Sequence, residues 1–187
     1  MVVGVIYPEE AVGICLSPQL SAACKVLKKD NAMEAKLIYV EPVQCVGLSE
    51  DLDMPRDKER IPALWAKLQS RMSEINRISG PAMGIVRRSS KAECIRYSAC
   101  MRVENAMDLP GGLEAVTVPA GNYAEFVHRG PVSTLFKTCD DICRSWFPQS
   151  GYTAGNGPMV EIYPQNFKGN EENPEIRILV SVNVCPE

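Results

Sequence analysis

At 187 residues with 45% hydrophobic content, the chain can bury one substantial core but is short for several domains of ordinary size. Its 20 basic and 23 acidic residues leave a net charge of −3, which excludes the electrostatic footprint of a polyanion-binding surface, so direct nucleic-acid binding is not expected. No run reaches the roughly 20 apolar residues that a membrane span needs.

The chain opens Met1-Val2-Val3-Gly4-Val5-Ile6-Tyr7-Pro8-Glu9-Glu10, with no basic lead and two carboxylates ending the apolar run, which makes a poor secretion signal. The stretch from Leu20 to Cys24 resembles a lipoprotein cleavage box but lacks a hydrophobic lead-in. The eight cysteines are therefore expected to be reduced thiols of a cytoplasmic protein rather than a disulfide framework. Residues 1–34 read as an N-terminal extension: short apolar pieces around Pro8 and Pro18 give way to the polar linker Lys28-Lys29-Asp30-Asn31. The folded domain is expected over 35–187.

Leu37-Ile38-Tyr39-Val40 has strand character and runs into Pro42 and Val43. Ile61, Leu64, Trp65, Leu68, Met72 and Ile75 then recur at three- and four-residue steps, an amphipathic helix with Pro62 near its start and Gly80 beyond its end. Gly80 to Val86 and Ile95 to Val103 read as strands. The sequence continues with a strand from Leu113 to Val118, then Pro119 and Ala120. A second helical stripe follows in Val132, Leu135, Phe136, Cys139, Ile142, Cys143 and Trp146, with Lys137, Asp140, Asp141 and Arg144 opposite and Pro131 suited to its first turn. Gly157 to Tyr163 and Ile176 to Val184 close the series as strands.

Pro42 and Pro119 lie 77 positions apart, as do Pro81 and Pro158, so one offset aligns the two series. The pattern predicts an α+β fold: two pseudo-symmetric β-α-β-β repeats, about 35–103 and 113–184, forming an antiparallel sheet with helices on one side. A helix with one apolar stripe buries it on a sheet face, and the uncovered faces of two such halves border a ligand groove between them.

The stretch Leu113-Glu114-Ala115-Val116-Thr117-Val118-Pro119-Ala120-Gly121-Asn122-Tyr123-Ala124-Glu125-Phe126-Val127-His128-Arg129-Gly130-Pro131 resembles the middle of a GyrI-like, or AraC-type effector-binding, domain. Trp146-Phe147-Pro148-Gln149-Ser150-Gly151-Tyr152 is similar to that family's tryptophan, proline, serine-glycine-tyrosine signature. Pro158-Met159-Val160-Glu161-Ile162-Tyr163 is similar to its strand carrying a glutamate and then a tyrosine. Ala63-Leu64-Trp65 and Cys94-Ile95-Arg96-Tyr97-Ser98-Ala99-Cys100 also fit, so the resemblance runs from about 35 to 184. It implies the doubled fold and a cleft that accepts lipophilic, often cationic compounds. It also implies three kinds of relative: sensor halves of transcription regulators, inhibitors of DNA gyrase, and hydrolases of cyclopropane-bearing alkylators. The chain departs from the regulator pattern in showing no helix-turn-helix segment.

Glu161 is the leading functional residue. Alternate strand residues share a face, so Met159, Glu161 and Tyr163 point together, while Val160 and Ile162 point the other way and are expected to face the helices. The 77-residue offset pairs Glu161 with Gly84, which makes the carboxylate an asymmetric feature of a symmetric scaffold. A carboxylate in a partly dry aromatic cleft favours an organic cation, and Tyr163, Tyr123, Tyr97 and Trp65 are the aromatic candidates for its surroundings. Each aromatic equally suits core packing, Trp65 because it lies on its helix stripe and Tyr123 because it follows the Pro119 bend. Trp146 is assigned to the core, and His128, the one histidine, to a structural hydrogen bond at a helix entrance. Cys139 and Cys143 stand one helical turn apart but on the apolar stripe, so they read as small hydrophobes rather than metal ligands. No metal site and no cofactor are expected; Gly111-Gly112 and Gly155-Asn156-Gly157 read as turns rather than phosphate loops. Three functions stay open: a binder of a lipophilic cation, a hydrolase using Glu161 on an electrophilic ring, and a protein that docks on DNA gyrase or a regulator.

Overall fold

The first expected strand of each half ends before a proline, and a second strand that was not expected begins beyond it. In the computed structural model, which describes residues 33–165, 167–169 and 171–183, the chain turns at Pro42 between β1 (Lys36–Val40) and β2 (Val43–Leu52). It turns again at Pro119, between β5 (Glu114–Val118) and β6 (Gly121–Arg129). A proline has no N–H for the ladder, so it marks the bend rather than the strand interior. Each half therefore holds four strands and not three. Of the extension expected over 1–34, residues 1–32, with Cys15 and Cys24, lie outside the described residues, as do Val184 and Cys185.

The remaining elements are α1 (Arg60–Ser70), β3 (Arg77–Arg88), β4 (Ile95–Val103), α2 (Leu135–Asp141), β7 (Thr153–Ile162) and β8 (Glu175–Asn183). The stripe read for the first helix extends past α1 into a 3-10 turn, Met72–Glu74. The second stripe runs through α2 into a π-helical turn, Ile142–Trp146, and stops at Gly151, whose left-handed φ of 76° closes the helix. β3 and β7 begin several residues before Gly80-Pro81 and Gly157-Pro158. Both strands carry their register shift there, between Arg77 and Ala82 against β4 and between Ala154 and Met159 against β8. A bulge is where a strand tolerates a residue without an N–H.

All pairings are antiparallel, in the order β1-β6-β8-β7-β3-β4-β2-β5, and the eight strands form one curled, half-barrel sheet. One face packs on the helices: Val46, Leu48 and Ala99 meet Leu64 and Leu68 of α1, while Phe126, Met159 and Ile178 meet Leu135 and Ile142. The other face buries Met83, Ile85, Cys100, Val116, Tyr123, Val160 and Leu179 in a cluster that contains no helical residue. Curling lets that face cover itself, with β5 reaching β7. This corrects the expectation for the β7 side chains. Val160 and Ile162 face the self-covered side, and Met159, Glu161 and Tyr163 face the helices. Among the described residues no helix is long and apolar enough to cross a membrane.

The two faces can be separated by experiment. Ile85 is fully buried on the self-covered face. Ile85→Val should lower unfolding free energy by about 0.5–1.5 kcal/mol in a denaturant titration. Ligand affinity should stay unchanged, because the residue points away from the helices.

Candidate functional site

The site is built where the two halves meet, at the β3–β7 pair in the middle of the sheet. Gly84 lies directly opposite Glu161 in that register. A Cβ placed on Gly84 would stand 2.3 Å from Glu161 Oε2 and 2.4 Å from Tyr97 Oη. The missing side chain is therefore what lets the carboxylate lie across β3 and meet a phenol from β4. Tyr97 donates to Oε2 at 3.0 Å, and Tyr163 donates to the same oxygen at 2.7 Å. Tyr163 sits one residue past β7 and stays anchored because its N–H donates to the Ala82 carbonyl at 3.0 Å.

Behind this triad, Trp65 Nε1 donates to the Tyr97 hydroxyl at 3.1 Å, and its ring meets Tyr163 edge-on with centroids 5.3 Å apart. The chain runs indole N–H to phenol to carboxylate, each donor polarising the next. Phe167 stacks on the outer side of Tyr163 at 5.1 Å. Burial pushes the Glu161 carboxyl above the usual carboxylate range, and the hydrogen bonds from Tyr163 and Tyr97 act against that rise. Burial first, and then the neighbouring carboxylate, hold both phenols well above their ordinary value, so they stay protonated donors.

Both hydrogen bonds arrive at Oε2. Among the described residues the only buried side-chain N or O atom without a partner is Arg87 Nε, so Glu161 Oε1 is open rather than sealed. It opens onto a cavity of about 560 Å³ lined by Glu161, Tyr97 and Tyr163. That volume is in the range of drug-sized ligand pockets, about 300–1,000 Å³. Residues of both halves contribute, Ile61 and Pro62 of α1 on one side and Phe136, Cys139 and Cys143 on the other. Met54 and Met159 add thioethers, and Lys58, Glu59, Asp140 and Arg144 bring charge to the lining.

The structure thus brings together three of the residues singled out in the sequence. Trp65 supports them from behind instead of lining the cavity. Tyr123 is a correction: it is 1% exposed on the self-covered face, and its hydroxyl donates to the Pro119 carbonyl at 3.2 Å. Its odd position in β6 turns it away from the helices, which Ala124 and Phe126 face instead. His128 ties β6 to α2, with Nδ1 2.8 Å from Thr138 Oγ1 and Nε2 3.3 Å from the Pro131 carbonyl. Trp146 packs edge-on against Phe126 and stacks on Tyr152. Sequence reasoning noticed Gly84 as the counterpart of Glu161 but missed its role as the space the carboxylate occupies. Cys139 and Cys143 pack half-buried against the core, as their place on the apolar stripe implied, and both also stand on the cavity wall, which the stripe did not show.

A family model described as a GyrI-like small molecule binding domain matches residues 33–183. The transcriptional regulator BrlR of Pseudomonas aeruginosa is 25% identical over 153 residues, covering 80% of this chain; the chain spans 56% of that regulator's length. Among solved structures, SAV2435 bound to tetraphenylphosphonium is similar in fold, with a TM-score of 0.66 at 17% identity over 81% of this chain and 94% of that one. An integron cassette protein of Vibrio cholerae has a TM-score of 0.60 at 13% identity, over 80% of this chain and 95% of that one.

Proposed function

Because the chain belongs to the GyrI-like family of small-molecule-binding domains, we propose that its cavity holds a lipophilic organic cation against Glu161. The observation that carries this reading is a buried carboxylate with one oxygen open to an otherwise largely apolar cavity. Burial, opposed by the two phenols, sets the state of that carboxyl, while Lys58 and Arg144 line the same cavity, Arg144 paired with Asp140 at 2.6 Å. An ionised carboxylate kept from water without a partner is unfavourable by several kcal/mol. It is relieved either by a proton, which the raised pKa reflects, or by a cation brought in by a ligand. The phenol rings at the cavity floor add cation–π attraction of about 0.5–2 kcal/mol each. The strand order supports the doubled architecture behind this reading. Exchanging β1–β4 for β5–β8 and reversing the order returns the same series, with the β3–β7 pair at its centre and the cavity over it.

The test is the pH dependence of binding. A cation favours the ionised carboxylate, and burial favours the protonated one, so below the raised pKa the cation must expel a proton to bind. Tetraphenylphosphonium affinity should fall by about tenfold per pH unit as pH drops below that pKa, and level off above it. A neutral aromatic of similar size should show no such slope. Without ligand the sign reverses. Because the carboxyl is raised on folding, stability is full below the ordinary carboxylate pKa and is lost as pH rises through the raised one. Parallel pH profiles for the two ligands in isothermal titration would remove the cation from this reading.

A further inference from the structure

We propose that Cys139 and Cys143 form a two-thiol site on the cavity wall that captures a trivalent organoarsenical, a soft As(III) centre carrying one aryl arm. Both are free thiols and both line the cavity. They stand four residues apart where α2 passes into the π-helical turn. Side chains at that spacing on a helix have Cβ atoms about 5–6 Å apart. A disulfide needs about 3.5–4.5 Å, so the pair is too wide for a direct S–S bond. One large atom bound to both sulfurs spans the gap.

The protonation state fits the same class. Burial pushes both thiols up, with Glu161 the next contributor at Cys139 and Asp140 at Cys143, so they are S–H groups at neutral pH. Such thiols are weak nucleophiles towards alkylating agents. An aryl-As(OH)2 asks for no thiolate in the balance: two S–H and two As–OH groups become two As–S bonds, and the thiol protons leave in two molecules of water. Arsenic stays trivalent, sulfur is not oxidised, and no charge is created in an apolar cavity, where it would be unfavourable. The aryl arm has its surroundings in Phe136 and in the thioethers of Met54 and Met159, which favour contact with aromatic rings. Among the described residues no group of three or more His, Cys, Asp or Glu is arranged to hold a metal ion. Two thiols match the two exchangeable positions of an arsenical with one carbon arm, and inorganic arsenite, with three, should be held less well. The site shares the cavity with the proposed cation function but requires no charge on Glu161.

The experiment treats the full chain with phenylarsonous acid, adds a large excess of a monothiol, and reads the intact mass. Bivalent capture should outlast capture by a single thiol by roughly 100-fold or more. Wild type should keep one adduct, Cys139→Ser and Cys143→Ser should each lose it, and Cys45→Ser and Cys94→Ser should keep it. Cys139→Ala and Cys143→Ala serve in place of a serine variant whose melting temperature shows that it has not folded. No retained adduct in wild type, or retention unchanged in both pocket variants, overturns the proposal. Glu161→Gln should still capture the arsenical, so capture by that variant together with equal pH profiles for the two ligands would sink the cation reading alone.

Discussion

Gly84→Ala is expected to lower tetraphenylphosphonium affinity by about 10–100-fold, the equivalent of about 1.4–2.8 kcal/mol. The added methyl would stand 2.3 Å from Glu161 Oε2, 2.4 Å from Tyr97 Oη and 3.1 Å from Tyr97 Cζ. The carboxylate end can swing aside, but the Tyr97 ring is 2% exposed and held from behind by Trp65, so it has little room to yield. The carboxylate should therefore move, losing its bonds to both phenols and its aim into the cavity. Overpacking of this kind lowers stability by about 1–3 kcal/mol, and the melting temperature should fall accordingly. Gly111→Ala, where nothing lies within 4 Å of the new carbon, is the control that should change neither quantity. Affinity equal to wild type in Gly84→Ala would show that the carboxylate geometry does not govern binding.

Much of the scaffold was legible because it is written in period and punctuation. The two helix stripes, the paired prolines and the strand character of 95–103 are local signals, and each returned as an element near its expected place. The strands that follow Pro42 and Pro119 were missed; β2 carries Gly47, Ser49, Glu50 and Asp51, a composition that hides a ten-residue strand. The face assignment of β7 failed for a different reason. Alternation sorted Met159, Glu161 and Tyr163 from Val160 and Ile162 correctly, but it could not say which set meets the helices. In a flat half-covered sheet the more apolar set would have settled it. Here the sheet curls until both faces are buried, and Val160 needs no helix to be 1% exposed. Tyr123 fell to the same cause. Glu161 was singled out by strand alternation, and the 77-residue offset that sets it against Gly84 pairs two residues that the β3–β7 register also places directly opposite each other.

Glu161→Gln is expected to weaken tetraphenylphosphonium by about 1–3 kcal/mol, the scale of a charge-assisted contact, and to leave a neutral aromatic of similar size nearly unaffected. Glutamine keeps the shape, and its carbonyl oxygen can still accept from Tyr97 and Tyr163 in the place of Oε2. The fold should not suffer, because the substitution removes a buried charge that burial disfavours; the variant should match wild type at low pH and exceed it as pH rises. The same variant separates binding from chemistry. If the cavity opens an electrophilic ring with Glu161 as general base, Glu161→Gln leaves substrate binding largely in place and slows turnover by roughly 100-fold or more. A binder returns its ligand unchanged in both proteins, and only the affinity for the cation moves. Equal affinities of wild type and variant for both ligands, with no turnover in either, would leave the carboxylate as a structural acceptor for two phenols and return the search for the ligand to the apolar walls.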